Sequence, residues 1–133
     1  MSRIGLKSLI FVMLTVAVSA PSCWGTENGY CYIVSYSDST RTAYFTPVFV
    51  APVSGETFSK EEFVSEVSLI RKMQAQFQTY LTEKGLSTSD FVTSAREAYR
   101  SQAIADKRLA NEKSSFSSRG FTIKMADDFV FKD

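Results

Sequence analysis

Four of the six tyrosines fall between residues 30 and 44, in two segments that read as strands. Tyr30, Tyr32 and Tyr36 belong to YCYIVSY, and Tyr44 belongs to TAYFTPVFV. A phenol joins an apolar ring to a hydroxyl that tolerates water, which suits it to a half-wet surface and to protein interfaces. Strand alternation puts Tyr30, Tyr32, Val34 and Tyr36 on one face and Cys31, Ile33 and Ser35 on the other. An odd-length turn over residues 37–41 pairs even positions with even ones. Tyr44, Thr46, Val48 and Val50 then join the tyrosine face, and Phe45, Pro47 and Phe49 join Cys31 and Ile33. The pattern predicts an aromatic binding face of Tyr30, Tyr32, Tyr36 and Tyr44 for a protein, a peptide, a sugar or a second copy of the chain. Ordinary cross-strand packing is the competing explanation. A shift of the turn by one residue would swap the faces.

Other residue types with chemical potential are sparser. Arg96, Arg100 and Lys107 fall at helical spacings of four and seven and could hold a carboxylate or phosphate, with Glu97, Asp106 and Glu112 nearby as charge partners. Glu61 and Glu62, and Asp127 and Asp128, are adjacent acids of the kind used in pairs by glycoside hydrolases, although adjacent acids are equally natural in caps and turns. The chain has no histidine, so Cys31 lacks the commonest base for a nucleophile and zinc lacks its commonest ligand. No Gly-x-Ser-x-Gly elbow and no glycine-rich phosphate loop occur. The expectation is no catalytic residue, no metal site and no cofactor.

These side chains must be positioned by a small set of elements. YCYIVSY and TAYFTPVFV predict an antiparallel hairpin, with Pro47 marking an edge or a bulge. Ser59 with Glu62 forms a capping box, and the stripe Phe63, Val67, Ile70, Phe77 and Leu81 predicts a helix from about Lys60 to Lys84, stopped by Gly85. Phe91 and Val92 read as loop anchors into the core. Ser94 with Glu97 suggests a second helix from about Ser94 to Ser117, closed by Gly120, with Ala98, Ala105, Leu109 and Phe116 inward. Residues 121–125 alternate as a third strand, and Phe129–Phe131 reads as a strand extension or tail. The expected fold class is α+β: a two-layer sandwich in the order β-β-α-α-β, with two helices on one face of a three-stranded antiparallel sheet.

The first 25 residues predict export. Arg3 and Lys7 precede an apolar run from Leu9 to Ala20 that is shorter than the ~20 residues of a membrane span. Cleavage after Gly25 leaves one domain over residues 26–133, enough for one core. Cys31 is then the only cysteine, whereas retention of Cys23 would allow lipidation or pairing with Cys31. Removing Arg3 and Lys7 from 15 basic residues against 14 acidic ones leaves a net charge of about −1. That balance gives no pull toward nucleic acid or anionic membranes. The expectation is an exported, periplasmic or secreted, non-enzymatic binding module with no integral span after cleavage. The alternatives are an envelope subunit or lipoprotein anchored through Cys23, an inhibitor or immunity-type protein, and a small histidine-free hydrolase.

Overall fold

Three strands of this fold are interrupted at one level, at Tyr32, at Thr46–Val48 and at Arg96–Glu97. The computed structural model describes residues 26–54, 58 and 62–133; the expected leader, Cys23, Ser59 and Glu61 lie outside the described residues. The interruptions divide three long strands into β1 (Thr26–Cys31) and β2 (Ile33–Ser37), β3 (Thr42–Phe45) and β4 (Phe49–Ser54), and β6 (Val92–Ala95) and β7 (Ala98–Tyr99). The lower halves form the sheet β4-β1-β7-β5, where β5 is Phe63–Val64. The upper halves form the sheet β6-β2-β3-β8, where β8 is Thr122–Met125. Every pairing is antiparallel except β8 with β3, which is parallel.

Two features of the second long strand reset the expected register. Ser37 pairs with Thr42, so the hairpin loop is Asp38–Arg41, an even number of residues, with Arg41 at a left-handed φ of 52°. Even positions of β2 therefore face odd positions of β3: Val34 opposes Phe45 and Ser35 opposes Tyr44. Below the interruption the parity reverses, because Cys31 pairs with Phe49 and Tyr30 with Val50. Thr46 still opposes Ile33, through a backbone bond of 3.0 Å and a 2.9 Å bond from the Ile33 amide to Oγ1 of Thr46. Two residues on one strand thus face three on the other, which is a bulge at Pro47. A proline lacks the N–H for a ladder bond, so the sequence puts the extra residue where the ladder loses least.

Helix α1 (Val67–Glu83) buries Leu69, Met73, Phe77 and Leu81, each four residues apart, against Cys31, Ile33, Ala51, Val53 and Ala95. Helix α2 (Gln102–Ser118) buries Ala105, Leu109 and Phe116 against Tyr32, Val34, Ala43 and Phe45. Adjacent residues of one strand, Tyr32 and Ile33, serve different helices, so the helices lie on opposite faces of the sheet. The fold is α+β as expected, but with two four-stranded sheets between two helices rather than three strands under a helix pair.

The helix ends agree with their glycines. Gly85 and Gly120 both have positive φ, and in both turns the two closing N–H groups reach back to the last helical carbonyls: Gly85 to Thr82 and Leu86 to Leu81, Gly120 to Ser117 and Phe121 to Phe116. The starts differ from the expected ones. Phe63–Val64 pairs with β7 instead of opening α1, and residues 92–95 and 98–99 are strands instead of the first turns of α2. The cap of α2 is Ser101, whose hydroxyl accepts from the Ile104 amide at 3.2 Å. Valine and threonine at 92 and 93 favour a ladder, and pairing with β2 outweighs a capping box at Ser94. Phe129 and Phe131 form a tail rather than a strand, with their rings against Phe49. Phe91 is half-buried against the Tyr44 ring, whereas Val92 is exposed. No helix among the described residues is long and apolar enough to cross a membrane.

Candidate functional site

The four tyrosines do not share a face. Tyr30, Tyr32 and Tyr36 point toward α2, and Tyr44 points toward α1, because the hairpin loop is even. Tyr44 is half-buried, its ring 5.8 Å from Phe91 and beneath the Lys124 ammonium. Tyr36 is half-buried in an aromatic cluster, 5.1 Å from Phe116 and 6.1 Å from Phe121. Tyr32 is 2% exposed, a core residue rather than part of an open face. The expectation of an uncovered tyrosine face is therefore corrected for the upper sheet, where α2 lies over it.

The lower sheet is covered in part, since α2 also reaches β1 and β7 but leaves the edge strands exposed. Cross-strand pairing aligns Val50 (β4), Tyr30 (β1), Tyr99 (β7) and Phe63 (β5) in a single row across all four strands. Directly paired residues project to the same side of a sheet, so these side chains share the α2 face. Tyr99 is buried and Tyr30 half-buried, while Val50 is 52% and Phe63 40% exposed. Asn28 and Pro52 form the next row, with Asn28 exposed. The reverse side of this sheet is tightly packed: a Cβ on Gly29 would lie 2.6 Å from that of Ala98 and 2.8 Å from Val53 Cγ2, so only glycine fits there.

Beside the row, sharing Tyr99 with it, is a polar cleft of about 380 Å³ lined by Tyr32, Arg96, Glu97, Tyr99, Arg108, Asn111 and Glu112. The strand interruption explains its lining. Arg96 and Glu97 are sequence neighbours, which a regular strand would send to opposite faces, yet both line the cleft. Helix α2 contributes Arg108, Asn111 and Glu112, three and four residues apart and so on one face. The Tyr32 hydroxyl donates to Oε1 of Glu112 at 2.7 Å, and the Arg96 guanidinium holds both oxygens of that carboxylate. Tyr32 and Tyr99 are stacked, 6.2 Å apart at 11°.

Burial first, and then the Glu112 carboxylate, pushes the Tyr32 phenol above the ordinary tyrosine range. Burial and the neighbouring Glu97 push Tyr99 up to about 12, with Tyr32 and Arg108 opposing. The bond to Glu112 raises Arg96. Both phenols are therefore neutral donors near neutral pH, and the cleft offers preset hydrogen bonds rather than a tyrosinate base.

The remaining predicted residues do not converge. Arg96 belongs to the strand interruption, Arg100 is exposed just after β7, and Lys107 is exposed on α2, so they form no helical stripe. Asp128 pairs with Lys84 at 2.6 Å beside α1, and Glu62 pairs with Arg108 at 3.3 Å, so these acids lie in separate ion pairs. Cys31 is a buried free thiol, pushed up to about 12 by burial. Compared with known proteins, the chain matches no family model, no curated sequence and no solved structure.

Proposed function

We propose that the protein is an exported, non-enzymatic binding module that seats another protein or a peptide on the lower half of its tyrosine face, at the exposed ends Val50 and Phe63. The observation that carries this reading is the row Val50–Tyr30–Tyr99–Phe63, apolar across four strands and exposed at both ends. Scattered exposed apolar residues are ordinary, but a contiguous row on a sheet face is the form of an interface core. The rim supplies polar contacts through Asn28, Glu62 and Arg108, and aromatic anchors of this kind carry much of the energy of protein interfaces. Export is the function of the leader: its basic start and short apolar run are what the secretory machinery reads.

The test replaces Val50 and Phe63 with serine, singly and together, and compares capture of partners from extract of the source cells with that by Val130→Ser. Val130 is exposed on the C-terminal tail and serves as the control. The reading predicts a partner retained by the wild type and the control and lost by the double variant. A folded double variant that keeps every partner would sink it.

A further inference from the structure

The charges of the polar cleft are unevenly matched. Arg96 is committed to Glu112 through two bonds, and Glu112 also takes the Tyr32 hydroxyl. Glu97 enters no ion pair among the described residues, and its one hydrogen bond comes from the Tyr99 hydroxyl at 3.2 Å. Arg108 gives Glu62 a single 3.3 Å contact in which both side chains are more than half exposed, so most of its donor fork is unused. An exposed pair of this kind contributes little and exchanges readily, within about 1 kcal/mol. The Asn111 side chain makes no hydrogen bond among the described residues. Spare donors (Arg108, Asn111) and a spare acceptor (Glu97) thus face one cleft without meeting each other.

Their placement narrows the ligand. Glu97 accepts from the Tyr99 hydroxyl at 3.2 Å, and Arg108 lines the same cleft from α2. A simple anion would meet Glu97 and Glu112, and a simple cation would meet Arg96 and Arg108. Either would meet a like charge as well as an opposite one. A small molecule carrying both charges loses nothing in this way. The floor is rigid, because Tyr32 and Tyr99 are packed and Glu112 is clamped, so little ordering is left to be done on binding. The volume lies at the small end of ligand pockets, which run from about 300 to 1,000 Å³.

We propose that this cleft is a binding site for a small zwitterion of the α-amino-acid type, with its carboxylate on Arg108 and Asn111 and its ammonium on Glu97. The site adjoins the apolar row and shares Tyr99 with it, but its ligand is read by alanine titration and not by partner capture, so either reading can fail alone. Arg108 exchanges Glu62 for the ligand carboxylate, and the Tyr99 hydroxyl, bonded to Glu97, lies beside the ammonium end.

The experiment titrates the isotope-labelled protein with L-alanine, propionate and ethylammonium and follows the Asn111 side-chain amide and Arg108 Nε signals. L-Alanine is expected to give saturable shifts, with affinity at least about tenfold above either one-charge analogue, a difference of about 1.4 kcal/mol. Glu97→Gln and Arg108→Gln should each cost about tenfold or more in alanine affinity with the backbone spectrum otherwise unchanged. Glu62→Gln, which frees Arg108, should tighten binding by about two- to threefold. The proposal is overturned by an absence of saturable shifts, by propionate matching alanine, or by an indifferent Glu97→Gln. Weaker binding in Glu62→Gln would also overturn it, since Glu62 would then be the ammonium partner.

Discussion

Beneath α1 the sheet meets Leu69, Met73, Phe77 and Leu81 through Cys31, Ile33, Ala51 and Val53, and the polar groups buried there are small hydroxyls such as Ser35, which bonds Thr93 at 2.9 Å. Beneath α2 the same strands present Tyr32 and Tyr99, and a carboxylate and a guanidinium from opposite layers close over them. One face is almost wholly apolar, and the other carries a charged, hydrogen-bonded cluster. A dry layer holds a strand in place by area alone, without direction. A layer with fixed donors and acceptors costs more to build but can recognise something. The candidate sites accordingly lie on the second face.

The comparison can be broken most forcefully from the dry side. Phe77→Ala removes a fully buried ring and should cost about 3–5 kcal/mol in urea unfolding; a loss below about 1 kcal/mol would mean that α1 is not the anchor described here. Gly29→Ala comes next. Its new Cβ collides with Ala98 and Val53, and overpacking of this kind should cost about 1–3 kcal/mol, seen as a lower chemical midpoint with an unchanged slope.

On the wet side, Glu112→Ala leaves the buried Tyr32 hydroxyl and Arg96 without their shared acceptor, at about 1–3 kcal/mol. Tyr32→Phe removes the hydroxyl but spares the Arg96–Glu112 pair and should cost less. Equal losses in the two variants would show that the phenol, not the ion pair, is what matters.

Alkaline titration sharpens the contrast further. The Cys31 thiol is raised from 9.0 to about 12, and Tyr99 from 10.0 to about 12. A raised acid is protonated in the fold at a pH where the unfolded chain has lost that proton. Its stabilisation is whole below the unfolded value and disappears as pH climbs through the folded one. Stability should therefore decline from about pH 9 to 12, and Cys31→Ala should delay the onset toward pH 10 by removing the thiol's share. The smallest effect is expected at the open row: Val50→Ser and Phe63→Ser should each change stability by no more than about 0.5 kcal/mol while changing partner capture.

Much of this architecture could be read from residue order, and the misreadings have local causes. The α1 core positions Phe77 and Leu81, the α2 positions Ala105, Leu109 and Phe116, and both glycine stops follow from spacing and from the need for positive φ. The tyrosine alternation along β1 and β2 also held, since Tyr30, Tyr32 and Tyr36 do face one way. Across the hairpin it failed because parity depends on loop length, and five residues between Tyr36 and Thr42 accommodate a four-residue loop once Ser37 joins the ladder. Phe45 and Phe49 serve opposite faces because the Pro47 bulge adds a residue, a possibility that the proline signalled without fixing its consequence. The polar cleft was out of reach. Tyr32 and Glu112 are 80 positions apart, and Arg96 with Glu97 reads as helical until the ladder with β2 claims the preceding residues. Local pattern identifies which side chains can hydrogen-bond, but only the chain path decides which of them meet.

The parallel partnership of β8 with β3 sets the order in which the molecule can be completed. Thr42 pairs with Thr122, and the Phe45 carbonyl accepts from the Ala126 amide, so an edge strand of the upper sheet comes from a segment far along the chain from its partner. Contacts so distant in sequence slow folding. Until β8 docks, the β3 edge keeps its ladder groups unpaired, so the last strand of the upper sheet also seals it.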